Sequence, residues 1–263
     1  MENNEKKFLE SYDSSEFEKV SLTTDALIFS ISNESQDNYR KTNKKHFTVL
    51  LVKREDYPFK DMWSLPGGFV DVNENLEDSV NRILKRETNL SNIYLEQLYT
   101  FGEVNRDPRM RIISTAYMSL IDKNKIGCSL TKQAKWFDIS MNEEKNKIEL
   151  YLKNGDEVLK VVLKRNKNGD LSVSKNNDIA FDHSLILYKG IERLKNKIEY
   201  TDIAFNLLPR YFTLSELQQV YELILNKKLL APAFRRIIKD KVMSTGEYKT
   251  GEGHRPAALF KKV

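Results

Sequence analysis

Two hydrophobic periods alternate along this chain. Runs rich in β-branched and aromatic residues, Ala26 to Ser32, Phe47 to Arg54, Ile93 to Phe101, Ile112 to Leu120 and Trp136 to Ile139, predict strands, and the polar run Asn33 to Lys45 predicts a loop. Asn75 to Thr88 has the other period. Leu76, Val80, Ile83 and Leu84 recur at helical spacing, with strong helix formers in the second half, so an amphipathic helix is expected there. Between Lys147 and Lys175 two turn signals, Asn154-Gly155 and Asn168-Gly169, separate Ile148 to Leu152, Val158 to Lys164 and Leu171 to Ser174. Asn-Gly between strand-like runs is a strong hairpin signal, and the interval reads as a three-stranded meander.

The C-terminal end has a different grammar. Thr213 followed by Glu216 is a capping box, opening a helix with an apolar stripe at Leu214, Leu217, Tyr221, Ile224 and Leu225. After a link from Asn226 to Leu230, Pro232 falls in the first turn of a second helix, where its missing N–H is no loss. There Phe234, Ile237, Ile238 and Val242 can face inward while Arg235, Arg236 and Lys239 face out. Two helices joined by a short turn, the second basic on its outer side, form a helix-turn-helix. A polar stretch, Ser244 to Arg255, with Gly246, Gly251 and Gly253, and then a strand Ala257 to Lys261 would complete a winged helix, with Asp202 to Leu208 as its first helix, ended by Pro209. Arg235, Arg236 and Lys239, with Lys249 and Arg255 in that polar stretch, are the DNA-contacting candidates.

Charge sharpens this picture. The net charge of +5 lies entirely in residues 201–263, which hold eleven basic and six acidic residues. Such asymmetry is expected of a nucleic-acid-binding end, although a solvated basic face would show it too. At 263 residues the chain is long enough for one large or two modest domains. One cysteine, Cys128, forms no internal disulfide and reads as a small buried hydrophobe. No stretch is apolar for long enough to span a bilayer, and Met1 to Lys19 lacks the apolar core of a signal peptide. The expectation is a cytoplasmic protein with no membrane partner and a flexible segment over residues 1–20.

One segment carries chemistry. Gly67-Gly68-Phe69-Val70-Asp71-Val72-Asn73-Glu74, with Arg82-Ile83-Leu84-Lys85-Arg86-Glu87-Thr88-Asn89-Leu90, resembles a Nudix box that has kept its frame and lost part of its chemistry. Gly68, Glu74, Arg82, Leu84, Glu87 and Leu90 stand at the family's positions, whereas Ile83 and Arg86 replace two glutamates and Asn89 replaces a glycine. Residues three and four apart share a helix face, so positions 83, 86 and 87 project together. In the family that face carries three carboxylates that hold Mg²⁺ with the substrate diphosphate, since Mg²⁺ takes oxygen ligands in near-octahedral array. Here Ile83 offers no oxygen, and Arg86 at about 5 Å from a divalent cation would be repelled by up to roughly 6 kcal/mol at an effective dielectric near 20. Asn89 is a milder change, because Asn tolerates the left-handed conformation common just after a helix.

The flanks extend the resemblance. Pro58-Phe59, Trp63-Ser64-Leu65-Pro66, Leu95 to Gly102 and Arg106-Asp107-Pro108-Arg109 are similar to the Nudix-related transcriptional regulators of NAD metabolism, as are Leu207-Leu208-Pro209, Phe212 to Gln218, Phe234-Arg235-Arg236 and Arg255-Pro256-Ala257. The resemblance implies an α/β protein: a Nudix-type α/β/α sandwich over residues 21–182, with a β-hairpin insertion at 147–175, a connecting helix at 183–200, and a winged helix at 201–263. Ala180-Phe181-Asp182-His183 resembles the start of that connecting helix, His183 being an orienting or packing residue more readily than a ligand.

It also implies an effector of the ADP-ribose type, whose diphosphate needs cations and whose rings need apolar surface. The candidates are Arg54, Arg82, Arg86, Arg106, Arg109 and Arg111, with Phe69, Phe101 and Trp63. Arg82 has a competing role bracing the loop through Glu74, and Trp63 reads better as core. The implied protein is a ligand-responsive regulator binding operator DNA as a homodimer, with Glu74 and Glu87 vestigial and no cofactor required. Two alternatives stay open: an active hydrolase of nucleoside-diphosphate sugars, which alone would need Mg²⁺, and a sugar-responsive catabolic regulator of the same architecture.

Overall fold

The computed structural model describes residues 2–33, 45–89, 91, 93–122, 130–175, 177–249 and 256–263. Leu90, Cys128, Gly251, Gly253, His254 and Arg255, and residues 34–44 of the expected loop, lie outside them.

One large sheet organises the chain. Its strands are β1 (Ser21–Asn33), β2 (Lys45–Lys53), β3 (Trp63–Ser64), β4 (Gly67–Phe69), β5 (Tyr94–Phe101), β6 (Ile112–Ile121), β7 (Ala134–Glu144), β8 (Lys147–Asn154), β9 (Glu157–Arg165) and β10 (Leu171–Val173). The order is β10-β9-β8-β7-β2-β1-β6-β5, with β3 on β2 and β4 on β1. Only β1 and β6 run parallel among these pairs, from Ser21 beside Ile112 to Ser30 beside Ile121. Ala26 to Phe29 of β1 is an uninterrupted apolar run because both faces of the strand are covered there, as is usual for a strand packed between helical layers. Ala26 and Ile28 point to α2 (Leu76–Thr88) and pack with Val80, Ile83 and Leu84. Leu27, Phe29 and Ile31 point the other way, into the core that contains Ile186, Leu187 and Leu194 of α3 (His183–Lys197). The sandwich is therefore α2, sheet, α3.

The meander forms at its predicted turns, with Gly155 at φ 59° and Gly169 at φ 91°. It is not a separate appendage, however. The strand expected at Trp136 to Ile139 runs on to Glu144, pairing with β2 up to Asp138 and with β8 from Asp138 to Glu144, so the insertion widens the main sheet. Ile148, Leu150, Leu152, Leu159, Val161 and Leu163 join the α3 core, which is what fixes the register of these strands. Polar contacts clamp α3 from both sides. Tyr188 and Arg165 both donate to Glu143, and Arg193 and Lys197 both reach Glu96 on β5.

The C-terminal part is a winged helix built from α4 (Leu214–Leu225), α5 (Ala231–Ile238), β11 (Phe212–Thr213), β12 (Val242–Lys249) and β13 (Ala257–Lys262), the three strands ordered β11-β13-β12. Thr213 and Glu216 make the reciprocal bonds of the capping box. Three expectations need correction. The segment expected as a first helix is a 3-10 turn, Ile203–Leu207, because Pro209 drives Leu208 into the extended region and leaves too few residues for a stable α-helix. Val242 belongs to a strand and not to the inner face of the second helix, which ends at Ile238. The polar stretch from Ser244 is strand as far as Lys249, pairing with β13 through an irregularity at Gly246, where φ is 78°.

A helix α1 (Glu2–Ser11) precedes the sheet, and residues 4–20 are exposed throughout. Among the described residues no helix is long and apolar enough to cross a membrane.

The fit of α3 on β1 rests on Gly190. A Cβ there would lie 2.1 Å from Leu27 Cδ2 and 3.2 Å from the Phe29 ring, both in fully buried side chains. Alanine favours an exposed helix over glycine by about 1 kcal/mol. Overpacking of a dense core costs about 1–3 kcal/mol, so the clash wins. Gly190→Ala should lower the urea midpoint at unchanged m-value; a midpoint equal to or above that of the unaltered protein would contradict this packing.

Candidate functional site

Segments from across the chain converge on a pocket of about 270 Å³: β1 with Asp25, the end of β2 with Arg54, the glycine turn at β4, α2 with Arg86, the loop after β5, and the entry to α3. Gly67 is required by close approach, since a Cβ there would fall 2.3 Å from the Asp25 carboxylate. Arg54, Arg86, Arg106 and Arg109 line the pocket against two carboxylates, Asp25 and Asp107. Their charges are not equally available. Arg106 is almost wholly buried, donating to both oxygens of Asp182 at 2.9 and 2.6 Å, with Asp25 at 3.7 Å. Arg109 is held two-pronged by Asp107 at 3.0 and 2.8 Å and remains partly exposed. Arg54 donates only to the carbonyls of Pro58 and Asp56 and makes no ion pair among the described residues. Burial, and then the neighbouring Arg109, lower its pKa.

An aromatic ring unites two of these cations. The guanidinium carbons of Arg54 and Arg109 lie 4.8 and 5.9 Å from the centroid of Phe181, and Arg109 is also 5.5 Å from Phe69. Cations over ring faces are attracted by about 0.5–2 kcal/mol each, which helps to hold two like charges at one mouth. Phe181 adopts φ 55°, and its neighbour His183 is fully enclosed. Burial pushes the His183 pKa down against the opposing pull of Asp25 and Asp182, so the ring is neutral. Its Nδ1 accepts the N–H of Leu65 at 3.0 Å, which ties the start of α3 to the turn before β4. This is the orienting role expected for it.

The helix that would carry a metal has been converted to packing. Ile83 is fully buried beneath Gly68, 3.8 Å from where a Cβ would sit. Glu87 is buried, with one oxygen accepting from Arg86 at 2.6 Å and the other from Thr131 at 2.9 Å. Glu74 gives both oxygens to Arg82 at 2.7 and 2.6 Å, and that guanidinium holds its pKa down at about 2. Two carboxylates that already have cationic partners, with an alkyl group where a third belongs, do not suit Mg²⁺, and the described residues contain no cluster of three metal-ligating side chains.

On the winged helix, α5 buries Phe234 and Ile238 and leaves Arg235, Arg236 and Lys239 exposed. None of the three makes a hydrogen bond or ion pair to a described residue, so among the described residues none competes for them. Lys249 lies on β12 and pairs with Glu216 at 3.2 Å.

Comparisons with known proteins match this division. A model of the NUDIX domain matches residues 37–155, and one of the NrtR DNA-binding winged helix domain matches residues 204–261. The "ADPR responsive transcriptional repressor NtrR" of Acinetobacter baylyi is 32% identical over 260 residues, covering 98% of this chain and 88% of the relative. The chain belongs to the NrtR family. The crystal structure of Shewanella oneidensis NrtR with a 27mer DNA superposes with a TM-score of 0.67 at 29% identity, over 92% of this chain and 93% of that one. A MutT/nudix family protein from Enterococcus faecalis shares the fold with a TM-score of 0.70 at 24% identity, over 100% of this chain and 99% of that one.

Within this NrtR-type architecture the arginines chosen from sequence part company. Arg54, Arg86, Arg106 and Arg109 and the ring of Phe69 meet at one pocket, whereas Arg82 braces the box loop, donating to Phe69 O at 3.1 Å as well as to Glu74. Trp63 and Phe101 are core residues and line no part of the pocket. Asp25, Asp107 and Phe181 escaped selection as site residues. For Asp25 a signal existed: a lone carboxylate inside an apolar strand is buried only with a partner, and here it faces Arg106 and accepts from Ser114.

The exposed face of α5 generates a direct test. Arg235→Ala and Arg236→Ala should each weaken operator binding, by about 1–3 kcal/mol where the lost contact is bidentate to guanine. Gel shifts across a salt series measure it, since phosphate contacts alone would show mainly as a shallower salt slope. If both variants bind as tightly as the unaltered protein, α5 is not the reading helix.

Proposed function

We propose that this protein is a transcriptional repressor that grips operator DNA through α5 and releases it when a nucleotide of the ADP-ribose type fills the arginine pocket. The observation that carries this reading is the sharing of residues between pocket and connector. Phe181, Asp182 and His183 are consecutive; two of them line the pocket, and the third, Asp182, holds Arg106. They also form the entry to α3, with Asp182 as its N-cap and His183 as its first residue, and α3 leads on to the winged helix.

A diphosphate brought between Arg54, Arg86 and Arg109 competes with Glu87 for Arg86 and with Asp107 for Arg109, and meets Arg54 without a carboxylate partner among the described residues. Arg106 is the critical one: any charge it gives to phosphate is withdrawn from Asp182, and the start of α3 is loosened. A ligand shifts an equilibrium only by its differential affinity for two arrangements, and this exchange supplies the difference. The pocket volume suits the diphosphate and its adjoining sugar, with the base lying outside against exposed rings such as Phe69. The relative described as ADPR responsive supports the choice of nucleotide. Each chain would read one half-site and a second copy the other, as helix-turn-helix proteins do on two-fold operators. The protein would act in the cytoplasm, on chromosomal DNA.

Two measurements test the reading. Titrating labelled operator with and without ADP-ribose should show ligand weakening DNA binding by about 1–3 kcal/mol, with operator weakening ligand binding by the same factor. Arg109→Ala should remove the ligand effect and leave ligand-free operator affinity near normal. A saturating, demonstrably bound ADP-ribose that changes operator affinity by less than about twofold, roughly 0.4 kcal/mol, would defeat this effector and favour a sugar.

The second measurement concerns chemistry. The protein requires no cofactor as a sensor, and ADP-ribose with millimolar Mg²⁺ should release AMP no faster than the protein-free control. Steady turnover would make it a hydrolase after all.

A further inference from the structure

A larger cavity, about 700 Å³, lies where β2 and β7 of the sheet meet α3 and α4, and it shares no lining residue with the arginine pocket. Its floor is apolar, made by Phe47, Met141, Ile191 and Leu223. Its rim carries four lysines, Lys45, Lys195, Lys227 and Lys228, against the single carboxylate of Glu222. Gln219 also lines it, with an amide oxygen that is buried and meets no donor among the described residues.

We propose that this cavity is a second ligand site, specific for a small organic anion with an apolar ring or branched body: an aromatic or aliphatic carboxylate, sulfonate or phosphate monoester. Three features select that chemistry. The volume falls in the range of drug-sized ligand pockets, about 300–1,000 Å³. An apolar floor under a cationic rim matches an amphipathic anion and disfavours both a sugar, which would strand hydroxyls on the floor, and a cation. Buried polar atoms are nearly always hydrogen-bonded, so the Gln219 amide asks for a partner. That oxygen accepts, so it selects a ligand whose body carries an N–H or O–H donor beside the anionic head, such as an anilino N–H or a hydroxyl.

The rim lysines differ in how readily they can be recruited. Lys195 pairs with Glu143 at 3.6 Å, Lys227 with Glu199 at 3.4 Å, and Lys228 with Glu222 at 2.8 Å, and the Lys228 side chain is 93% exposed. Lys227 and Glu199 are each about half exposed, and a pair of that kind contributes about 0–1 kcal/mol, so Lys227 can turn to a ligand's anionic head at almost no loss. Glu222 keeps Gln218 and the Leu229 N–H as donors if Lys228 leaves it, and Lys195, the least exposed of the three, is the costliest to recruit. An occupant would touch the sensor sheet, the connecting helix and the first long helix of the reader at once. It would share no contact residue with the nucleotide pocket.

The probe is 8-anilinonaphthalene-1-sulfonate, a fluorescent aromatic anion, added to the full-length protein. One saturable site per chain is expected, undisturbed by saturating ADP-ribose. Lys195→Glu should weaken it at least tenfold, and Leu223→Trp, which fills the cavity from a partly exposed position, should abolish it, with circular dichroism unchanged in both. The neutral analogue N-phenyl-1-naphthylamine should bind at least tenfold more weakly and be indifferent to Lys195→Glu. The proposal is overturned if ADP-ribose displaces the probe, if the neutral analogue binds equally well, or if both variants retain the unaltered affinity.

Discussion

A single buried cation is the hinge of this structure. Arg106 is taken almost entirely out of water and has two carboxylates for company, Asp182 at the start of α3 and Asp25 in the middle of β1. Breaking a buried pair by removing one partner costs about 3–5 kcal/mol, because the remaining charge is stranded. The loop after β5, the first strand and the connecting helix are thereby obliged to stay together. The pocket depends on that obligation: three of the segments that line it are the ones the guanidinium ties, and its Phe181 ring stands beside Asp182. Binding and connection are two uses of one electrostatic constraint.

The Nudix helix shows how a catalytic frame persists when its chemistry goes. Position 83 lies beneath the glycine turn, where a carboxylate would need a counter-ion; isoleucine there joins Val80 and Leu84 in the core instead. Position 86 puts a guanidinium on Glu87, so the last carboxylate of that face is neutralised from within the same turn. Arg82 and Glu74 still brace the loop, and this explains why the turn and helix keep their shape. Geometry has been retained for the sake of the pocket.

Much of this was legible in the residues, for reasons that can be named. The α2 helix, the meander turns and the capping box at Thr213 are local patterns, and local patterns survive folding when the core agrees with them. What was not legible depended on distance along the chain. That Arg106 would be consumed by Asp182, seventy-six residues away, has no local signature. Nor does the union of the meander with the main sheet, which is set by β7 running on past its apolar start. The helix expected at 202–208 failed for a local reason, a proline that outweighed the apolar spacing before it.

The hydrophobic core that begins between β1 and α3 does not stop at the domain boundary. Leu217, Tyr221, Ile224 and Phe234 of the winged helix belong to the same cluster as Leu27, Val49 and Phe137 of the sheet. Sensor and reader are thus one cooperative unit and not modules on a tether. Melting should be a single transition, and neither half can be excised without baring the other's interior. Thermodynamic linkage then reaches everywhere: a ligand held by the pocket alone, at a hundred times its Kd, raises the stability of the whole chain by about 2.7 kcal/mol, the DNA-reading helix included.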